Sequence, residues 1–260
     1  MTGATTVGAG LRRSFGLVSG TFVVALLAIA VGAAYVESGS TALRWLGPTG
    51  AVAGFELWFL RRHLDSNHPD GAAGNQFARL GAGNLVTLVR GGAFAAIAGF
   101  ALLEPVGLVA WLPAALYATG SALDWIDGLL ARWSGHTTVL GEKLDMAFDT
   151  LGFVVAPVVA VIWGRLPIWY LSLSAARYLF RAGKAARRRR GRPVYDLPES
   201  RVRRPLAGLQ MAFIAFALAP ILAPSTVHAL AAVVLLPSLS VFARDYLVVA
   251  GHVNGGNNNN

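Results

Sequence analysis

The chain has 260 residues, of which 55% are hydrophobic and 13% charged, with a formal net charge of +9 and no cysteine. A soluble domain carries about a quarter of its residues as charged side chains, so this composition excludes an ordinary water-soluble globule and predicts an all-α, polytopic transmembrane helical bundle. The absence of cysteine excludes disulfides and thiolate metal sites.

A helix of about 20 apolar residues crosses a hydrocarbon core of roughly 30 Å. Eight runs meet that length approximately, at 16–36, 42–61, 84–103, 106–131, 143–163, 166–182, 205–222 and 227–249. The first, "GLVSGTFVVALLAIAVGAAYV", follows Arg12 and Arg13 as a secretory signal would, but it is long for a signal core and reads as a retained helix. The second contains Glu56, which suits either a buried hydrogen-bonded side chain or a local accessory site. The sixth is the shortest. The last residues, "NGGNNNN", form a low-complexity tail predicted to be disordered (252–260).

Basic residues orient these spans. With a cytoplasmic N-terminus, alternate connections hold Arg12 and Arg13; Arg61, Arg62 and Arg79; Arg132; the run from Lys184 to Arg204; and Arg244, leaving only Arg44 and Arg165 opposite. Both termini are therefore expected on the cytoplasmic side. This topology accounts for most of the net charge without a nucleic-acid partner.

The segment "SALDWIDGLLARWSGHTTVLGEKLDMAFDT", residues 121–150, places four aspartates in this apolar setting. Asp124, Asp127, Gly128 and Ala131 fall within an arc of about 100° on one helix. Asp145 and Asp149, spaced i and i+4, share a face of the next. Four carboxylates together repel one another unless a cation neutralises them. An oxygen-only donor set suits Mg²⁺, Mn²⁺ or Ca²⁺ rather than zinc. The alternative is that the aspartates cap helices at the interface or pair with Arg90, Arg132 and Lys143. Intramembrane ionisable residues on two matched faces favour a functional cluster.

Asp124, Asp127, Gly128, Ala131, Arg132, Gly141, Asp145 and Asp149 reproduce the pattern DxxDGxxAR followed by GxxxDxxxD. In every fixed position this resembles the signature of the CDP-alcohol phosphatidyltransferase family, and "GNLVTLVRGG" at 83–92 resembles the opening of the family's first core helix. The resemblance implies a core of six transmembrane helices over 80–251, with 1–79 as an extension of two further helices, and a homodimer. It implies transfer of a substituted phosphoryl group from a CDP-linked lipid to the hydroxyl of a small alcohol or phospho-alcohol, releasing CMP, in phospholipid biosynthesis. By similarity Asp124, Asp127, Asp145 and Asp149 hold Mg²⁺ or Mn²⁺, as two ions, and Asp149 is the catalytic base. Asp124, Gly128, Ala131, Arg132 and Gly141 line the CDP pocket, opening to the cytoplasm. For Gly141 a simple turn glycine reads equally well, and Arg132 could instead snorkel to headgroups.

The stretch "RAGKAARRRRGRPVYDLPESRVRRP" supplies Arg181, Arg201, Arg203 and Arg204, which with Arg177 are candidates for binding a phosphate on the acceptor. Its competing role is to attract anionic membrane lipids. Glu142 shares the face of Asp145 and Asp149 but lies outside the pattern, which favours a role at the helix start or in support of the cluster; His136 reads as a solvated turn residue. A cation carrier is the alternative class, and a non-catalytic relative is a third. The clustering of the aspartates towards one side, with an arginine and small residues alongside, favours the transferase.

Overall fold

The computed structural model describes residues 2–72, 75–133, 137–198 and 200–252, without the side chains of residues 2–7, 125 and 127–133. Among these residues every regular element is helical: α1 (Thr2–Val36), α2 (Gly39–Arg62), α3 (Ala82–Gly99), α4 (Leu112–Trp133), α5 (Val139–Ile162), α6 (Ser172–Arg189), α7 (Arg203–Leu218) and α8 (Pro224–Val249). Each predicted span thus has its helix. Stretches of α1, α3, α5 and α8 are long and apolar enough to cross a membrane by length and composition.

The boundaries differ where special residues intervene. The fourth helix begins at Leu112 rather than 106, because Gly107 takes a left-handed turn (φ 52°) into a short 3-10 segment, Gly107–Ala110. The sixth departs most from expectation. Ile168–Leu171 form a 3-10 turn, and α6 then continues through Arg187, Arg188 and Arg189 to end beside Gly191 (φ 63°). Arginine and lysine are good helix formers, so the basic stretch prolongs the helix instead of forming a loop. Arg187 donates to the carbonyls of Pro193 and Ala250, stapling the following turn to the end of α8.

α3 is the central post. Small residues let its neighbours approach closely, as membrane helices require. A Cβ on Gly152 of α5 would stand 2.8 Å from the Phe94 ring. One on Gly99 would collide with Thr49 and with the side chain and carbonyl of Trp45 in α2. Trp45 Nε1 also donates to Ala96 O at 3.1 Å, fixing α2 against α3. By contrast α1 is largely exposed, with Leu17, Val24, Ile29 and Tyr35 on its surface. In a bilayer those side chains meet lipid rather than water.

Two polar knots tie the helices together. Buried Gln210 of α7 accepts from Tyr170 and donates to Val234 O and Ser238 Oγ, each at 2.8 Å, joining α7 to α8. Asn67, between α2 and α3, is fully buried; its Nδ2 donates to Phe77 O and Arg79 O, and its Oδ1 accepts from Asn84 at 3.4 Å. The same segment reaches α5, where Val139 N donates to His68 O (3.0 Å) and Lys143 donates to Ser66 Oγ (2.8 Å).

These contacts separate two glycines that look alike in sequence. Gly99→Ala must move the Trp45 backbone and is expected to lower stability by about 1–3 kcal/mol. Gly208→Ala meets nothing within 4 Å and is expected to change stability by less than about 1 kcal/mol. Thermal unfolding of the two variants in detergent reads the difference.

Candidate active site

α5 opens with a defined cap. Thr138 is extended, and its Oγ1 accepts from Gly141 N at 3.0 Å. Gly141 itself lies where a Cβ would sit 2.8 Å from Asn84 Oδ1. Its smallness therefore brings the start of α5 against the start of α3. Glu142 is exposed in the first turn of α5, where a negative charge complements the helix dipole.

One turn further, α5 presents Asp145 and then Asp149 to Asp124 of α4. One carboxylate oxygen from each of the three lies within 4.8 Å of the others. Behind them stands Arg90 of α3, fully buried. One terminal nitrogen of its guanidinium contacts Asp124 Oδ1; the other lies 2.6 Å from Asp145 Oδ1 and 3.2 Å from Asp149 Oδ1. The aspartate side chains keep between 26% and 46% of their surface exposed, so the cluster is sealed on the arginine side and open on the other.

The predicted pairing with Arg90 is thus present. Lys143 instead goes to Ser66, and the side chain of Arg132 lies outside the described residues. So do those of Asp127, Gly128 and Ala131, which continue the backbone of α4, while His136 is outside altogether. Three of the four predicted ligands are brought together. Three carboxylates share one guanidinium at contact distance, with Arg177 acting on Asp149 from farther off, so the acids outnumber the cations in contact with them. That surplus and the all-oxygen donor set fit a hard divalent cation, to be held by Asp124, Asp145 and Asp149.

Phe153 follows Asp149 by one further helical turn, and there a cavity of about 370 Å³ opens between α5, α6, α7 and α8. Its basic lining is Arg177, Arg203 and Arg204. Arg203 is held by Asp245 through two bonds, at 2.7 and 3.1 Å, and also donates to Pro198 O. Arg177 places its guanidinium 4.6 Å from the centre of the Phe153 ring. Arg181 and Arg201 are exposed and do not line the cavity. The walls are otherwise mostly apolar, from Leu173, Leu206, Val241 and Phe242 among others.

Two participants lie outside the sequence pattern, although Arg90 was already expected as a candidate partner of the aspartates. Arg90 was legible as a lone ionisable residue within an apolar span, a recognised sign of function. Asp245, the partner of Arg203, had no motif and became visible only once α7 and α8 were side by side.

A family model described as CDP-alcohol phosphatidyltransferase matches residues 81–241. Curated relatives named "Putative cardiolipin synthase", from Mycobacterium bovis and two strains of Mycobacterium tuberculosis, are each 36% identical over 73 residues. That stretch is 28% of this chain and 34% of each relative, so the chain spans about a third of the curated relatives' length. No solved structure matches.

The charge arrangement has a direct consequence. Arg90→Gln removes the cation that holds three carboxylates together and is expected to cost about 3 kcal/mol of stability. Added Mn²⁺ is expected to raise the unfolding temperature of Arg90→Gln more than that of the unmutated chain. Differential scanning fluorimetry with and without Mn²⁺ measures both effects.

Proposed function

The chain belongs to the CDP-alcohol phosphatidyltransferase family, and from that premise we propose that it transfers a phosphatidyl-type group from a CDP-linked lipid to the hydroxyl of a phosphate-bearing acceptor, releasing CMP. The family and the apolar helices make it a multi-pass membrane protein of phospholipid synthesis. The observation that carries the finer reading is the register along α5: Asp145, Asp149 and Phe153 follow at intervals of four, so one helix face runs from the carboxylate cluster into the arginine-lined cavity.

In this reading Asp124, Asp145 and Asp149, with Asp127, hold Mg²⁺ or Mn²⁺. Such a cation neutralises pyrophosphate charge and makes phosphorus more electrophilic. The remaining work falls to the chain's own groups. Asp149, nearest the cavity along α5, takes the proton of the acceptor hydroxyl. The hydroxyl oxygen forms its bond to the lipid-linked phosphorus as the bond from that phosphorus to the CMP oxygen breaks, with CMP leaving in line. Arg177 and Arg204 hold the acceptor phosphate, while the Arg203–Asp245 pair fixes the cavity wall. Gly128, Ala131, Arg132 and Gly141 retain their proposed place beside CDP.

The apolar lining supports an acceptor that is itself a phospholipid with a free hydroxyl. The relatives' name points the same way, since cardiolipin is a lipid with two phosphatidyl groups on one glycerol. The basic asymmetry of the sequence supports a cytoplasmic opening and cytoplasmic termini, and a homodimer belongs to the same proposal. Sealing of the cluster by buried Arg90 favours a transferase over a cation carrier, which needs a continuing path.

The test is CMP release by the purified chain in nanodiscs with CDP-diacylglycerol and Mg²⁺ or Mn²⁺. The acceptors compared are phosphatidylglycerol, glycerol 3-phosphate, inositol phosphate and unphosphorylated glycerol. Release is expected with phosphatidylglycerol and is expected to vanish in Asp149→Asn. Arg204→Gln is expected to raise the acceptor KM about 10- to 100-fold with a smaller change in kcat, as the loss of a charge-assisted hydrogen bond would. Release with soluble phospho-alcohols alone would sink the lipid-acceptor reading, and release with no acceptor would sink the transferase itself.

A further inference from the structure

A second cavity, of about 580 Å³, lies where α1 begins and α2 ends, on residues outside the 81–241 that the family model matches. Small-molecule sites typically enclose about 300–1,000 Å³. Its polar lining is Arg12 of α1, Arg61 in the last turn of α2, Asp65 of the following 3-10 turn, and Gln76. Leu11 and Phe15 add apolar surface; Leu11 is buried, and Phe15 packs on the same apolar cluster. Neither guanidinium has an ion pair or a hydrogen bond among the described residues, and neither does the Asp65 carboxylate. Two cations and one anion give the hollow a net positive charge.

Exposed arginines usually mark no more than a solvated surface, so the surroundings decide. Arg12 and Arg61 are far apart in the chain and converge because α1 and α2 run antiparallel. Trp58 is exposed three positions before Arg61, and aromatic residues of that kind sit at the level of lipid headgroups. Further along α1, Val23 and Leu27 are exposed and lie within about 60° of Arg12 around the helix. Gly16, on the same face, adds no side chain between them. A charged hollow thus continues into an apolar track on the outer side of a helix long and apolar enough to span a membrane. A phospholipid has the same profile, with a negative phosphodiester at one end and hydrocarbon beyond it.

We propose that this cavity binds the headgroup of an anionic membrane phospholipid, with Arg12 and Arg61 on the phosphate oxygens and the acyl chains along the exposed face of α1. Paired guanidiniums suit a phosphate through charge-assisted, forked hydrogen bonds. The single acid weighs against a zwitterionic headgroup: with two arginines present, an ammonium on Asp65 would still leave one positive charge over. The site is separate from the cavity lined by Arg177 and Arg204, and it depends neither on a metal nor on the reaction given above. Its occupancy braces α5, because Asp65 is followed by Ser66 and His68, which bond Lys143 and Val139 at the start of that helix.

The experiment is photo-crosslinking of the full chain in phosphatidylcholine nanodiscs containing a trace of phosphatidylglycerol or phosphatidylethanolamine, each with a photoreactive group high on one acyl chain. Peptide mapping then locates the label. The phosphatidylglycerol probe is expected to label the peptides carrying Arg12 and Arg61 several-fold more than the phosphatidylethanolamine probe. Arg12→Gln and Arg61→Gln are each expected to lower that labelling about fivefold, as loss of one charge at headgroup level would. Arg188→Gln/Arg190→Gln, at the basic end of α6, is expected to leave it unchanged. Asp65→Asn is expected to raise it about two- to fivefold by removing a repelling charge; a folding defect would lower it, so this variant keeps the test decisive. Equal labelling by the two probes, no loss in either arginine variant, or a fall in Asp65→Asn with the phosphatidylethanolamine probe favoured would overturn the proposal. Loss of labelling under excess inorganic phosphate would assign the hollow to a soluble phosphate and overturn the lipid.

Discussion

Three carboxylates and one buried guanidinium, crowded where α3, α4 and α5 meet, are the constraint around which the other contacts are arranged. Asp124, Asp145 and Asp149 repel one another at the distances that the helices impose. Arg90 resolves most of that repulsion from behind and leaves the exposed side negative. Its planar fork suits the task better than an ammonium group would, because two terminal nitrogens address three acids at once. In the proposed reading, a site built this way attracts cations from its open face and does not pass them through.

Holding the acids in register falls largely to contacts that carry no chemistry. The Thr138 cap and the approach of Gly141 to Asn84 set where α5 begins, and hence the height of Asp145 and Asp149 relative to Arg90. Asn84 is in turn bonded to Asn67, and Asn67 ties down the segment that reaches α5 through His68 and Ser66. That segment belongs to the N-terminal part of the chain. The division into an extension over 1–79 and a core over 80–251 is therefore a proposal about sequence ancestry; mechanically the extension is packed into the site's frame, with Trp45 and Thr49 against Gly99 on one side and Glu56 against Gly91 on the other.

Apolar length and helical period were enough to read the eight helices, because both are local properties. The shortest, 166–182, was misplaced because apolarity alone marked its end, whereas α6 runs on through arginines that favour helix as well as leucine does. The aspartates were legible from spacing: i and i+4 on α5 fixes a shared face whatever surrounds it. Asp245 was not legible, since its meaning depends on Arg203, forty-two positions earlier and on another helix. The five candidate acceptor arginines illustrate both cases. Sequence marked all of them as basic and near the membrane, but only packing distinguishes Arg177, Arg203 and Arg204, which line one cavity, from Arg181 and Arg201, which do not.

The same packing divides the basic stretch by task. Arg187 is spent on carbonyls at the end of α8, and Arg203 on Asp245. Neither is a mobile charge for attracting lipid. Arg188, Arg189, Arg190 and Arg192 are exposed and have no such bonds among the described residues. Their cluster at the end of α6 suits the surface of an anionic leaflet, where each charge near the headgroups contributes about 1 kcal/mol. Because α6 also carries Arg177 into the cavity, any force that seats the basic end of α6 on the membrane also fixes the depth of that cavity. Depth matters for the proposed chemistry, in which the carboxylates would meet a charged nucleotide while the cavity beside them would accept an apolar molecule. One amphipathic helix, anchored by its arginines outside and by Leu173 within, satisfies both demands.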